Sequence, residues 1–219
     1  RSTCQAHPPA TGLTINAAPA AGASVIEWQG CDTTNGNQCS LEVQQATTVT
    51  AVVGFPLDLA IVGQGTVDFS VPGIGTCGAS SNVACVAAYA AGTTVRLTAT
   101  PAAGYAFREL TGCAPVAGMP GVCDATLDAA LSVQAAFGRE VQVSVQGMGT
   151  VRSNPAGIDC GADCSEVFAD GTTVNLSATP DAGWRVSGFV GCAASGPNLG
   201  RCTITANAPT SIAVGFGRE

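Results

Sequence analysis

Apolar and polar residues alternate with a period of two over several short segments of the chain. Within residues 93–99, Val95 and Leu97 fall on one side of an extended chain, and Thr94 and Arg96 fall on the other. The same alternation recurs at residues 13–17, 141–145 and 174–178. Helical periodicity with capping residues is not evident. The pattern therefore predicts an all-β fold built from half-buried strands.

Three copies of one spacing pattern follow each other along the chain. In each copy, a Pro-x-Ala-Gly turn begins 12 residues before a cysteine, and that cysteine lies 24 residues before a phenylalanine. The prolines are Pro19, Pro101 and Pro180, the cysteines are Cys31, Cys113 and Cys192, and the phenylalanines are Phe55, Phe137 and Phe216. Such agreement predicts tandem repeats. We expect a partial repeat at residues 1–56, a complete repeat at 57–140 and a second complete repeat at 141–219.

A second motif, Gly-x-Gly-Thr-Val, occurs at residues 63–67 and 147–151. It has no counterpart in the first repeat, which is therefore expected to lack its front half. Because glycine readily adopts positive φ, we expect a hairpin turn at each of the two motifs. Only residues 138–140 separate the apolar segments 132–137 and 141–145. Without a flexible linker at this boundary, the array is expected to be a stiff or semi-stiff rod.

The cysteine content predicts the cellular compartment in which the protein is found. The chain has 11 cysteines, 28 glycines and 12 prolines, but a single histidine. So many cysteines, without Cys-x2-Cys spacing or further histidines, favour disulfides in an oxidising compartment over a zinc site. The protein is therefore expected to be extracellular or at a cell surface.

Equivalent positions in the repeats predict how the cysteines pair. Cys31 with Cys39, Cys113 with Cys123 and Cys192 with Cys202 occupy one place, and Cys77 with Cys85 and Cys160 with Cys164 occupy a second. Cys4 is expected to be unpaired in this chain because its partner would belong to the missing front half; a free thiol or an intermolecular cross-link is the alternative. Each bridge would stabilise its repeat by about 2–3 kcal/mol, which compensates for a small core.

Charge composition excludes several classes of partner. The formal net charge is −7, and all eight basic residues are arginines. A basic nucleic-acid-binding face and a polybasic patch for anionic lipid are therefore excluded. The longest apolar run is far shorter than the ~18 residues that cross a bilayer, so we expect no membrane insertion of this segment. The absence of lysine also excludes Lys–Asn isopeptide bonds, which leaves disulfides as covalent reinforcement.

The order of these motifs resembles the divergent internalin B-type repeats of large bacterial surface and secreted proteins. The resemblance rests on Gly-x-Gly-Thr-Val, a cysteine pair, Gly-Thr-Thr-Val-x-Leu-x-Ala-Thr-Pro-x-Ala-Gly, a Gly-Cys loop and a final phenylalanine, and is closest at residues 92–104 and 171–183. It implies a tandem array of disulfide-stapled domains, β-grasp-like or small β-sandwiches, in stalks, spacers or adhesive segments. The family's Trp-x-Gly motif is present at Trp28, but Leu110 and Phe189 replace the tryptophan in the later repeats, which favours a core role.

The single histidine does not indicate catalysis. His7 lies beside two prolines and has no equivalent in the other repeats. A serine nucleophile would need a histidine base that is held by a third group, and no such set is evident. We therefore interpret His7 as a solvated loop residue.

The acidic residues that could serve chemistry form two sets. These are Asp159, Asp163 and Asp170 in the third repeat, and Asp124 and Asp128 in the second. Neither set has a recognisable setting for glycoside cleavage. The first set could help to hold calcium, but the Asp-x-Asp-x-Asp-Gly spacing is absent and two cysteines interrupt the run. Ordinary surface acids are the favoured interpretation, and we expect no enzyme activity, cofactor or metal.

Two aromatic residues occupy the same repeat position. Tyr105 and Trp184 follow the Pro-x-Ala-Gly turn, where the first repeat has Ala23. We expect them to cap the local core, with stacking on a sugar ring or contact with a neighbouring repeat as alternatives.

Three functions from different classes fit this sequence. The first is a structural segment of a bacterial cell-surface or secreted protein, such as a stalk, an adhesin shaft or an extracellular filament subunit. The second is a glycan- or protein-binding module that uses the loops 114–122 and 193–201, whose sequences differ while their framing cysteines do not. The third is a non-catalytic accessory region of a larger extracellular enzyme.

The partners expected for the first function are neighbouring copies or other domains of a longer parent chain. Self-assembly is a further expectation, because a first repeat without its front half would leave a strand edge open to a neighbouring molecule.

Overall fold

The computed structural model describes residues 2–6, 10–71, 75–78, 85–196 and 199–219, with side chains described from residue 12 onward. Within these ranges the chain forms β-strands and no α-helix, which confirms the all-β prediction. No helix in the described ranges has the length and apolar character that crossing a membrane requires.

The strands are short except for two that have 16 residues each. In chain order they are β1 (Ser2–Ala6), β2 (Ala10–Asn16), β3 (Ser24–Gln29), β4 (Thr33–Asn35), β5 (Gln38–Val43), β6 (Thr47–Val62), β7 (Gly65–Phe69), β8 (Thr76–Gly78), β9 (Val86–Ala90), β10 (Thr94–Pro101), β11 (Ala106–Thr111), β12 (Ala114–Pro115), β13 (Val122–Thr126), β14 (Leu131–Gln146), β15 (Gly149–Asn154), β16 (Asp159–Cys160), β17 (Ser165–Ala169), β18 (Thr172–Pro180), β19 (Trp184–Val190), β20 (Ala194–Ser195), β21 (Arg201–Ala206) and β22 (Thr210–Arg218).

One long sheet, here called the shared sheet, contains strands from all three predicted repeats. Its nine strands are β1, β3, β6, β9, β11, β14, β17, β19 and β22. Three smaller sheets have the strand orders β2-β5-β4, β12-β13-β10-β7-β8 and β16-β15-β18-β21-β20. Within the shared sheet, β14 pairs in parallel with both β6 and β22, and its other pairings are antiparallel.

Buried side chains form three clusters, each between the shared sheet and one smaller sheet. The cluster of the second repeat includes Leu57 and Phe137 from the shared sheet and Val95 from β10. The cluster of the third repeat is built in the same way, with Phe216 facing Leu176 of β18. A smaller cluster joins β5, β6 and neighbouring residues of the first repeat. The complete repeats are thus small two-sheet sandwiches, and the period-two alternation records which side of each strand faces the core.

Five disulfides link the smaller sheets to adjacent segments. They join Cys31 with Cys39, Cys77 with Cys85, Cys113 with Cys123, Cys160 with Cys164 and Cys192 with Cys202, the same pairs that repeat logic predicts. One sulfur-bearing residue of every pair is buried, with 0–2% of its surface exposed: Cys39, Cys77, Cys123, Cys160 and Cys202. The bridges therefore occupy core volume as well as closing loops. The side chain of Cys4 lies outside the described part of the structure, so the prediction that it is unpaired remains a prediction.

Residues 138–140 were expected to be a short connection between the two complete repeats, and they are part of a continuous strand. These residues belong to β14, which passes from the second core to the third without interruption. Residues 131–136 of β14 pair with residues 57–62 of β6, and residues 141–146 pair with residues 210–215 of β22. The earlier boundary is crossed in the same way by β6. Each long strand is therefore the last strand of one predicted repeat and the first strand of the next.

The prediction of a hairpin turn at each Gly-x-Gly motif is wrong. β14 and β15 belong to different sheets, so the motif at 147–149 carries the chain across the sandwich instead of reversing it within one sheet. Gly147 has φ +89°, and a Cβ on Gly149 would lie 2.5 Å from Cζ of Phe216. The first glycine makes the corner, and the second leaves room for the buried ring between the two sheets.

The strand edge that was expected to stay open in the first repeat is paired. β1 lies antiparallel to residues 47–51 of β6. In the complete repeats this edge is taken by the parallel first strand. The open edge is therefore not available at residues 47–51, and the strand-addition hypothesis for that edge is wrong.

Candidate functional site

At the boundary between the second and third repeats, β14 is paired on both of its edges. At Gly138, β14 has antiparallel neighbours on both edges, because this residue pairs with Ala106 of β11 and Ala169 of β17. A Cβ at this position would overlap the carbonyl oxygen of Phe168, so the close approach requires glycine. The preceding residues Ala136 and Phe137 point to opposite faces, and both are buried. Both faces of the strand are therefore covered where it passes from one core to the next.

Directly after this glycine, Arg139 connects the two repeats through its guanidinium group. Its Nε donates a hydrogen bond to Oδ1 of Asp170 at 2.7 Å, and its Nη1 donates to the carbonyl oxygen of Gly104 at 2.6 Å. The guanidinium carbon lies 3.5 Å from the centroid of the Tyr105 ring. The Tyr105 hydroxyl in turn donates to Oδ2 of Asp170 at 3.2 Å. We call this group of side chains, Tyr105, Arg139 and Asp170, the junction clamp.

The clamp joins three segments that are distant in sequence. Tyr105 follows the Pro-x-Ala-Gly turn of the second repeat, Arg139 lies in the middle of β14, and Asp170 lies in the turn between β17 and β18 of the third repeat. Arg139 is largely covered, with 15% of its side chain exposed, whereas Asp170 remains 43% exposed. The planar guanidinium can hold a carboxylate, a backbone carbonyl and an aromatic face together, which an ammonium group could not do in the same geometry.

Electrostatics within the clamp favour its charged form. The hydrogen bond from Arg139 lowers the pKa of the Asp170 carboxyl from its usual value. The hydrogen bond to Asp170 raises the pKa of the Arg139 guanidinium. The pair is therefore ionised at neutral pH. An ionised pair whose members are held by hydrogen bonds to each other, to Gly104 and to Tyr105 serves positioning rather than proton transfer.

An incomplete version of the clamp lies at the far end of the third repeat. Trp184 takes the place of Tyr105, and Arg218 takes the place of Arg139, since both arginines follow Phe-Gly and precede glutamate. The Arg218 guanidinium lies 5.5 Å from the Trp184 ring centroid, within cation–π range. In the described part of the chain, Arg218 forms no ion pair. The aromatic residue and the arginine are therefore present without a carboxylate.

The boundary between the first and second repeats has the same backbone but different chemistry. The positions equivalent to the clamp hold Ala23, Phe55 and Ala91, because Gly54 of β6 pairs with both β3 and β9, as Gly138 of β14 pairs with β11 and β17. The Phe55 side chain is partly buried against the core of the second repeat. One boundary is therefore apolar, and the other is closed by charged and aromatic groups.

The remaining acids singled out by sequence do not converge. Asp159 pairs with Arg152 at 3.2 Å, and Asp124 pairs with Arg96 at 2.8 Å. Asp163 accepts a hydrogen bond from the backbone nitrogen of Ser165. Because Asp170 belongs to the clamp, the set proposed for calcium is divided among separate partners. No group of three or more His, Cys, Asp or Glu residues suited to a metal occurs among the described residues. His7 lies outside the described residues.

The variable loops border two surface cavities of about 480 Å³ each. The loop 114–122 lines the first cavity, where Met119 is 54% exposed. The second cavity is bordered by Trp184 and by Leu199 of the loop 193–201, and Leu199 is 52% exposed. Residues 197–198 of that loop lie outside the described ranges. Tyr105 and Trp184 are both half-buried against their cores, as expected for capping residues.

Trp28 lies in the small cluster of the first repeat. Its side chain packs against that cluster, and its Nε1 donates to the carbonyl oxygen of Gly36 at 3.0 Å. This placement agrees with the core role expected from the sequence.

Only one part of the clamp was expected from the sequence. Contact with a neighbouring repeat was an alternative for Tyr105, and Tyr105 makes that contact through Asp170. Arg139 was not singled out, and Asp170 was considered as a surface acid, a calcium ligand or a carboxylate for glycoside cleavage. The available signal was the tripeptide Gly-Arg-Glu, which occurs at residues 138–140 and again at 217–219.

These features define a tandem array of disulfide-bonded β-repeat domains joined by continuous strands. The profile of the divergent InlB B-repeat domain matches this chain twice, at residues 74–141 and 139–218. The chain belongs to the divergent InlB B-repeat domain family. The two matches meet at residues 139–141, immediately at the junction clamp.

A solved structure, the Bacillus anthracis TIE protein, aligns with 99% of this chain at 9% sequence identity and a TM-score of 0.27. This chain spans 51% of the length of that one. No curated protein sequence matches this chain.

Proposed function

We propose that this chain is a structural segment of a bacterial cell-surface or secreted protein, acting as a stalk, an adhesin shaft or part of an extracellular filament. The observation that carries the proposal is the course of β14, which runs through two cores and has strand neighbours on both edges at the boundary. A bend at the boundary would break backbone pairing on both sides and expose Ala136 and Phe137, so the junction resists hinge motion.

Family membership and five disulfides support a location outside the cytoplasm or on the cell surface. Bridges that fill thin cores also protect against local opening, which is the step at which proteases attack exposed segments. A spacer requires length, stiffness and resistance to proteolysis.

Small-angle X-ray scattering of the oxidised chain tests the proposal. We expect one rigid, elongated conformation to account for the scattering curve. The matched control carries four Gly/Ser residues inserted between Gly138 and Arg139, which interrupts β14 while leaving both cores intact. Its scattering curve should then require an ensemble of conformations with a wider range of particle dimensions. Scattering from the native chain that requires a hinged ensemble, or that the insertion leaves unchanged, would contradict the proposed role.

A second candidate function is binding of a glycan or protein through the variable loops. The exposed Met119 and Leu199 beside the two cavities favour it, because exposed apolar side chains on disulfide-framed loops suit recognition. A screen of glycans and of candidate surface proteins should compare the native chain with one whose loop 114–122 is replaced by Gly/Ser of equal length. Binding that survives this replacement and the corresponding change at 193–201 would exclude the loops.

A further inference from the structure

The two ends of the third repeat can be compared directly because they carry the same local sequence. At the end shared with the second repeat, Phe137 is followed by Gly-Arg-Glu, and Arg139 holds Asp170 of the next repeat. At the other end, Phe216 is followed by the same Gly-Arg-Glu. Both arginines lie beside an aromatic ring that follows the Pro-x-Ala-Gly turn.

The backbone at the second end has the same arrangement as well. β19 pairs with β22 through the register Trp184 with Arg218, and β22 pairs in parallel with the first strand of its own repeat. β14 is paired in the same way, by β11 up to Gly138 and by β6 up to Ala136. Past that point, β14 continues into the next repeat and gains β17, whose turn brings Asp170 to Arg139.

We propose that Trp184 and Arg218 form an acceptor face for a B-repeat whose first strand continues β22 and whose β-turn presents a carboxylate at the position of Asp170. The proposal rests on the structural role proposed above, since it describes how one repeat attaches to the next. It adds a chemical requirement, because the incoming repeat must carry an acidic residue at the position equivalent to Asp170.

This chain contains one repeat that meets the requirement and one that does not. The third repeat carries Asp170, whereas the second carries Ala91 at the equivalent position and has the apolar Phe55 at the position of Arg139. An incoming repeat with alanine there would leave Arg218 without a carboxylate in a partly covered site, which is unfavourable for a charged group. The acceptor face should therefore distinguish repeats of the third type from repeats of the second type.

The test extends the full chain directly after Glu219. One extension is a second copy of residues 141–219, so that Gly-Arg-Glu-Val is reproduced at the new boundary. The other extension is a copy of residues 57–140, whose Leu57 is equivalent to Val141 and which presents Ala91 instead. Trp28→Phe in the chain and Trp184→Phe in the first extension leave the original Trp184 as the single tryptophan. Acrylamide quenching of its fluorescence then reports how far the acceptor face is covered, and mass spectrometry of the disulfides verifies folding.

We expect the 141–219 extension to protect Trp184 from quenching more than the 57–140 extension does. Asp170→Asn made only in the appended copy, or Arg218→Ala, should remove this additional protection. The two substitutions together should cause no greater loss than either one alone, because both remove the same contact. Ala91→Asp in the 57–140 extension should increase the protection of Trp184.

Equal protection by both extensions, or independent additive losses, would overturn the proposal. Scattering from the same extended chains separates this outcome from failure of the structural role. A rigid, lengthened particle with an accessible Trp184 would retain the spacer function and reject the acceptor face. A hinged 219-residue chain would instead reject the spacer function.

Discussion

Replacement of Gly149 by alanine tests the packing that makes each repeat a closed sandwich. The added Cβ would lie 2.5 Å from Cζ and 2.6 Å from Cε1 of Phe216, a ring that is 5% exposed. Because ordinary carbon–carbon contacts are about 3.5–4.0 Å, the ring or the strand must move by about 1 Å. Overpacking of this kind costs about 1–3 kcal/mol. We expect Gly149→Ala to lower the free energy of unfolding by that amount in equilibrium urea denaturation of the oxidised protein.

Two further variants test whether the loss of stability comes from the contact between residue 149 and the Phe216 ring. Gly217→Ala is the matched control, because its Cβ would meet only Ser187 at 3.9 Å, and its stability should change by less than about 0.5 kcal/mol. Phe216→Leu removes the ring that the new methyl group meets, so the double variant should be more stable than the sum of the single losses predicts. Wild-type stability in Gly149→Ala, or strict additivity with Phe216→Leu, would refute the proposed contact.

The remaining predictions concern charge, covalent links and burial. The folded pKa of Asp170 is depressed by Arg139, so its contribution is complete above the unfolded carboxyl pKa of about 3.9 and is lost as pH falls through the lower folded value. The stability difference between wild type and Asp170→Asn should therefore shrink on acidification in thermal melts, and a constant difference would contradict this. Replacing Cys113 and Cys123 together by alanine should cost about 2–3 kcal/mol in urea unfolding, and an unchanged midpoint would count against the bridge. Leu57→Ala should cost about 2–5 kcal/mol in the same assay, since this side chain is fully buried; a loss below about 1 kcal/mol would show that the site is not packed.

Local pattern was sufficient to predict most strands and the cysteine pairs. The alternation around Val95 and Leu97 follows from one core-facing side per strand, and both residues are 0% exposed. The pairing of Cys113 with Cys123 follows from repeated spacing, because two cysteines recur at equivalent places in each repeat and Cys192 and Cys202 have the same separation. These features depend on neighbours close in sequence.

The shared sheet could not be predicted in the same way. Residues 57–62 and 131–136 are far apart in the chain, and their apolar pattern would suit many partners equally. A Gly-x-Gly corner also uses the same positive φ that a hairpin uses, so the residue types alone do not say whether β14 and β15 share a sheet. The β-bulges of β3, β11 and β19 give a further example, since all three lie at one repeat position without a common residue.

The two internal boundaries show how one backbone can carry different assembly rules. Both use a continuous strand whose central glycine pairs on two edges, so stiffness comes from the backbone and the buried faces. An exposed ion pair contributes little to stability, but a carboxylate and guanidinium that must meet can exclude wrong neighbours. At the apolar boundary, Phe55 requires only a close-packed neighbour. At the charged boundary, Arg139 requires Asp170, and Tyr105 fixes the approach of both. Backbone continuity would thus set the stiffness of the array, while the side chains at each boundary would select which repeat follows.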